Sequence, residues 1–135
     1  MTNWYDLAEI RPTNFESLVP LAREARKFNL SFEDTKNTQW WGCYIRDELV
    51  GCCGVIWLNA SHTTCRLKSW LILPEWRGCD LGRKMNETRI AWALDKGATR
   101  IEVISNYPEI FKKLGFKHIE GKSEHNLYKE FTSSQ

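Results

Sequence analysis

The chain has 135 residues, 42% hydrophobic and 27% charged, which predicts one domain spanning 1–135 with a real core. Nineteen basic residues against 17 acidic ones leave a net charge of +2, so charge gives no argument for a nucleic-acid partner. The best apolar run, Cys52 to Leu58, is far too short to span a membrane.

In chain order, "WYDLAEIR" alternates and predicts a first strand. "PTNFESLVPLAREARKF" predicts a helix capped by Thr13 or Asn14, with Leu18, Leu21, Ala22 and Ala25 on its apolar face. Asn29 to Asn37 is polar and predicts a loop or short helix. "QWWGCYI" and "LVGCCGVIWLN" predict an antiparallel hairpin about a tight turn at Arg46-Asp47-Glu48. "ASHT" turns the chain again and "CRLKSWLIL" returns as a longer strand. "LGRKMNETRIAWALDKG" reads as a helix, with Ile90, Ala93 and Leu94 at helical spacing and Gly97 as its stop. "TRIEVI" is a strand, "PEIFKKLG" a short helix, and "FKHIEG" with "NLYKEF" a closing hairpin. This order predicts an α/β fold: a mixed sheet of six to seven strands flanked by three to four helices. The strands either side of the long helix should be parallel, joined by a right-handed crossover.

Five cysteines, Cys43, Cys52, Cys53, Cys65 and Cys79, are odd in number and lack CxxC spacing. No zinc or other metal site and no disulfide framework is expected; the thiols read as reduced filler in a cytoplasmic protein. The N-terminus has neither the basic start nor the apolar stretch of a signal peptide. The tryptophans Trp40, Trp41, Trp57 and Trp70 read as packing residues. His62, His118 and His125 read as solvated loop or hairpin side chains, so no general base stands out.

The chemistry concentrates in "PEWRGCDLGRK", Pro74 to Lys84. A strand that ends in a glycine turn and feeds a helix leaves backbone N–H groups unpaired at the positive end of the helix dipole, where phosphates bind readily. Gly78 and Gly82 permit close approach, and Arg77, Arg83 and Lys84 add positive charge. The pattern is neither a Walker A loop nor GxGxxG.

"LILPEWRGCDLGRKM" resembles motif A of the GNAT N-acetyltransferases, whose signature is R/Q-x-x-G-x-G/A. Arg77, Gly78, Leu81 and Gly82 match it, and Leu114-Gly115-Phe116 in "NYPEIFKKLGFK" resembles the end of motif B. The resemblance implies a GNAT-like fold and transfer of acetyl from acetyl-CoA (coenzyme A) to a primary amine of a small molecule, peptide or protein lysine. It assigns the pyrophosphate to Arg77, Gly78, Cys79, Asp80, Leu81, Gly82 and Arg83. It assigns the pantetheine arm to Leu71, Ile72 and Leu73, with Asn106 at the end of the next strand. Acceptor contacts would come from about Phe28 to Thr38 and from the final hairpin.

Two residues depart from the family pattern. Asp80 stands where the family has glycine: it either caps the helix with its side chain or weakens CoA binding and shifts donor choice. Phe111 stands where many members carry the tyrosine that protonates the leaving thiolate, and a phenyl ring donates no proton. Tyr107, four residues earlier, is the candidate catalytic acid. Mom-type DNA modification proteins of phages also look like GNATs with altered cofactor loops, and a non-catalytic binding module is a third reading. "NLYKEF" could present an edge for a homodimer.

Overall fold

The computed structural model describes residues 2–27 and 34–132. The expected acceptor segment from Phe28 therefore lies partly outside the described residues. The elements are α1 (Trp4–Leu7), β1 (Glu9–Thr13), α2 (Val19–Arg26), β2 (Thr38–Ile45), β3 (Glu48–Trp57), β4 (Thr64–Ile72), α3 (Leu81–Asp95), β5 (Arg100–Ile104), α4 (Pro108–Lys113), β6 (Lys117–His118) and β7 (Asn126–Glu130). One seven-stranded sheet runs β1-β2-β3-β4-β5-β7-β6. Every pairing is antiparallel except β4 with β5, which is parallel across the α3 crossover, as expected.

Alternation along the strands sends side chains to two cores. Trp41, Cys43, Val55, Ile101 and Leu127 pack under α3 and α4, with Met85 and Phe111. Trp40, Cys52 and Leu71 pack under α2, against Leu18, Leu21 and Ala25. Arg46 (φ 50°) and Asp47 (φ 67°) are both left-handed, the backbone that a two-residue hairpin turn between β2 and β3 needs.

Four expectations are corrected. "WYDL" is one helical turn, because Asn3 Oδ1 accepts the Asp6 N–H at 3.3 Å, and the strand begins at Glu9. Pro12 and Thr13 belong to that strand. The following helix is entered through a 3-10 turn, Phe15–Leu18, capped by Asn14. In α3 the buried face is Leu81, Met85, Asn86, Arg89 and Ala93, whereas Leu94 is exposed. β7 is not a free edge: β6 covers it at Leu127 and Tyr128.

The strand that matters most is β4. Trp70 pairs with Cys53 and Lys68 with Gly54, so Ser69 is an extra residue, held at φ 54°. Such a bulge adds one residue to one strand and reverses the alternation beyond it. Before it, Cys65 and Leu67 face the α3 core; after it, Trp70 and Ile72 do, while Leu71 crosses to the α2 side. Pairing of β4 with β5 stops at Leu67 with Val103, and the strands part beyond that point.

Candidate functional site

Where β4 and β5 part, a slot of about 560 Å³ opens. β4 contributes Ser69, Trp70, Leu71 and Ile72 to it, and the segment from Val103 to Tyr107 faces them. One end is closed by Arg77, Gly78, Asp80, Leu81 and Gly82 at the N-terminus of α3. Arg89, Ile110 and Phe111 complete the wall. Of the residues singled out from the sequence, the slot gathers Leu71, Ile72, Arg77, Gly78, Asp80, Leu81, Gly82, Asn106, Tyr107 and Phe111. It does not gather Leu73, Cys79 or Arg83. Leu73 gives its N–H to Val50 O at 2.9 Å, and Cys79 lines a neighbouring cleft with Asn3 and Trp4.

The loop is built for close approach, but its charges are committed. Gly78 has φ +80°, and a Cβ there would meet nothing within 4 Å. The first turn of α3 has free amides, because no side chain caps it. Asp80 occupies the cap position at φ 69°, yet its carboxylate turns to Arg83 Nη2 at 2.8 Å, so the expected side-chain cap is absent. That hydrogen bond holds the Asp80 carboxyl below the usual carboxylate range. Arg83 also stacks on Tyr5. Lys84 is turned from the loop altogether: its Nζ donates to Tyr5 O and Ala8 O, both at 2.6 Å, tying α1 to α3. Arg77 Nε donates to Ile72 O at 3.1 Å.

Gly82 serves a different purpose from Gly78. A Cβ on Gly82 would stand 2.6 Å from Trp70 Cζ2. The glycine is therefore required by the indole packed beneath it. That indole meets Phe111 edge-on, with ring centroids 5.8 Å apart. Its Nε1 is buried without a hydrogen-bond partner.

Arg89 is the residue that sequence reasoning missed. It is 1% exposed. Nε donates to Asn86 Oδ1 at 2.9 Å; Nη1 donates to Gly54 O, Lys68 O and Ser69 O at 3.0, 3.1 and 2.8 Å. One guanidinium thus satisfies the carbonyls that the Ser69 bulge removes from the ladder. Burial pushes its pKa below the ordinary arginine value, but a guanidinium remains charged throughout the working pH range. The signal available was a polar pair, Asn86 and Arg89, three residues apart in a helix whose other side is also polar.

Tyr107 is 64% exposed at the start of α4. Its N–H donates to Ser105 Oγ at 2.9 Å, and Ser105 O is held by His125 Nδ1 at 2.9 Å, which fixes the slot's outer rim. Among the lining residues the ionisable side chains are Arg77, Asp80, Arg89 and Tyr107.

Four thiols lie in the core. Burial raises Cys43 and Cys53 to about 11 and Cys65 to about 12, and raises Cys52 further. Cys79 is half-buried in the loop. Iodoacetamide at pH 8 is therefore expected to add one label to the native protein, at Cys79, and five in denaturant, read by intact mass. More than one native label would mean that the core opens on the labelling timescale.

A sequence profile of the Acetyltransferase (GNAT) family matches residues 4–116. No curated protein matches the chain significantly. Solved structures match over most of its length. A GNAT-family acetyltransferase of Staphylococcus aureus Mu50 is 14% identical, with a TM-score of 0.71 over 93% of this chain and 99% of that one. An N-acetylglutamate synthase of Neisseria gonorrhoeae, complexed with coenzyme A and N-acetylglutamate, is 15% identical with a TM-score of 0.74. The match covers 93% of this chain and about a third (35%) of the synthase. A GNAT-family acetyltransferase of Elizabethkingia anophelis, with acetyl-CoA bound, is 12% identical with a TM-score of 0.66 over 93% and 99% of the two chains. At these identities the likeness speaks to the fold.

Proposed function

Because the chain belongs to the GNAT acetyltransferase family, we propose that it transfers an acetyl group from acetyl-CoA to a primary amine by direct attack in a ternary complex. The observation that carries this reading is the slot itself. It runs from parted strands to an uncapped helix N-terminus at a glycine loop, the shape and polarity of an extended thiol arm ending in phosphates. The residues fit such a ligand: open space at Gly78, free amides in the first turn of α3, and a β4 edge released by β5 beyond Leu67. When bound, acetyl-CoA supplies an activated thioester.

The chain's own groups then have assigned tasks. The amides from Gly78 to Arg83 hold the pyrophosphate, and Leu71 and Ile72 align the arm. Arg77 shares Ile72 O, whose second lone pair stays free for that alignment. Trp70 and Phe111 exclude water from the slot wall. Asn106 and Tyr107 stand at its outer rim, where Tyr107 serves as proton donor to the thiolate. Among the described residues no histidine or glutamate lines the slot, and the acceptor ammonium loses its proton to solvent at the open mouth.

Calorimetric titration with acetyl-CoA tests the reading: saturable heat is expected, with Cys79 protected from alkylation, and an absence of heat at millimolar ligand would sink it. Tyr107→Phe is expected to lower kcat roughly 10- to 100-fold with KM for acetyl-CoA little changed. An unaltered kcat removes the phenol from the mechanism. Asp80→Gly should bind CoA several-fold more tightly, because it frees Arg83 and removes a carboxylate beside a phosphate, a repulsion of about 1 kcal/mol in water. The same change suits the left-handed backbone at this position, so stability is expected to hold or rise slightly. Unchanged affinity would mean that Arg83 already neutralises the carboxylate.

A further inference from the structure

Arg89 carries a buried positive charge with no carboxylate on it. Its Nε and Nη1 are spent on four neutral oxygens. Among the described residues its Nη2 donates no hydrogen bond. The partnerless nitrogens that are sealed from solvent are Arg66 Nε and Trp70 Nε1. Nη2 of Arg89 is not one of them, and the little surface that Arg89 shows lies in the slot wall. The thiols nearest in electrostatic effect, Cys52, Cys53 and Cys65, are held neutral by burial. The carboxylate in the slot lining, Asp80, sits at the opposite end and is engaged by Arg83. A buried cation without a counter-ion is costly, and a ligand anion relieves that cost.

The position of this charge decides which part of a ligand would meet it. Arg89 grips Lys68 O and Ser69 O, where β4 and β5 begin to part. That is the inner end of the slot, and the loop that suits phosphates closes the other. The group at the inner end is the acyl group. We propose that the preferred donor is an acyl-CoA whose acyl chain ends in a carboxylate, such as malonyl-, succinyl- or glutaryl-CoA, with Arg89 Nη2 as its receptor. The proposal rests on the acyl-CoA reading above.

The chemistry needs no additional reactant. The neutral amine nitrogen bonds to the acyl carbon and the C–S bond breaks. One proton leaves the nitrogen and one is taken by the thiolate, yielding an amide and free CoA with the distal carboxylate unchanged.

The test compares unmodified protein with CoA, acetyl-CoA and the malonyl, succinyl and glutaryl thioesters by calorimetry. One dicarboxylic thioester is expected to bind at least ~10-fold more tightly than acetyl-CoA, a margin in the range of a hydrogen bond to a charged group. A peak at one chain length would mark a fixed distance to the guanidinium. Arg89→Lys, which keeps the charge but loses the fork, should reduce the ratio of dicarboxylic to acetyl thioester affinity below about 3-fold, and a ratio kept at ~10-fold would overturn the guanidinium as receptor. Equal or weaker binding of all three dicarboxylic thioesters overturns the proposal and leaves the acetyl-CoA reading standing. Failure of every CoA species to bind overturns both.

Discussion

Replacing Arg89 by methionine is expected to destabilise the fold by about 3 kcal/mol. The figure follows from what the guanidinium leaves behind. Gly54 O, Lys68 O, Ser69 O and Asn86 Oδ1 all lose their donor, and each orphaned buried acceptor costs ~1–3 kcal/mol. Relief from burying an ion offsets part of that sum. For a chain of this length the melting temperature should fall by about 10 °C. The check is urea unfolding of Arg89→Met with and without Asn86→Leu. The second substitution removes one stranded acceptor, so the double variant should recover roughly 1 kcal/mol. A loss under ~1 kcal/mol for the single variant would show that water or the bulge itself satisfies those carbonyls.

Gly82→Ala is expected to impair ligand binding far more than its one methyl group suggests. Helix propensity favours alanine by roughly 1 kcal/mol. Against that, the new Cβ would lie 2.6 Å from Trp70 Cζ2 and 3.1 Å from Cε2. The indole cannot retreat, because Phe111 stands against it, and the Ser69 bulge fixes its backbone. Either the start of α3 tips away or the ring turns into the slot. Overpacking of this kind costs ~1–3 kcal/mol, which leaves the net stability change near 1 kcal/mol. Both escapes, however, disturb the glycine turn before α3 or fill the slot, so CoA affinity should drop by at least ~10-fold, or 1.4 kcal/mol. Pairing the change with Trp70→Leu removes the obstacle and should restore most of the affinity. If Gly82→Ala binds CoA normally, the ring is freer than its packing indicates.

These two residues also show where sequence reading stops. The hairpins, the parallel crossover and the glycine turn before α3 were legible, because each rests on local signals: alternation, a helical period, and glycine where a left-handed backbone is needed. The position of the bulge at Ser69 was not, since serine at φ 54° carries no such signal. Without the bulge, Trp70 reads as a packing residue, and nothing assigns it to the slot. Arg89 was hidden for a related reason. The face of α3 was located from apolar residues, Ile90, Ala93 and Leu94, whereas the buried stripe is partly polar. A polar residue earns burial only through partners, here three carbonyls from two strands, and those are distant in sequence. Asp80 was placed correctly at the helix start, but its side chain was misjudged, because the left-handed backbone turns the carboxylate to Arg83 rather than to the first-turn amides.

The parting of β4 from β5 has a consequence for motion as well as for shape. The two sides of the sheet are hydrogen-bonded together across this line by four register pairs, from Thr64 with Arg100 to Leu67 with Val103. The antiparallel ladders on either side are longer, at seven pairs between β3 and β4 and five between β5 and β7. The short parallel ladder is therefore a seam between the two halves of the sheet, a place where it opens when it breathes. A ligand lying between the parted strands would bind both banks of that seam. It would slow amide exchange at 64–67 and 100–103, residues largely beyond its reach, by stitching shut the opening that exposes them.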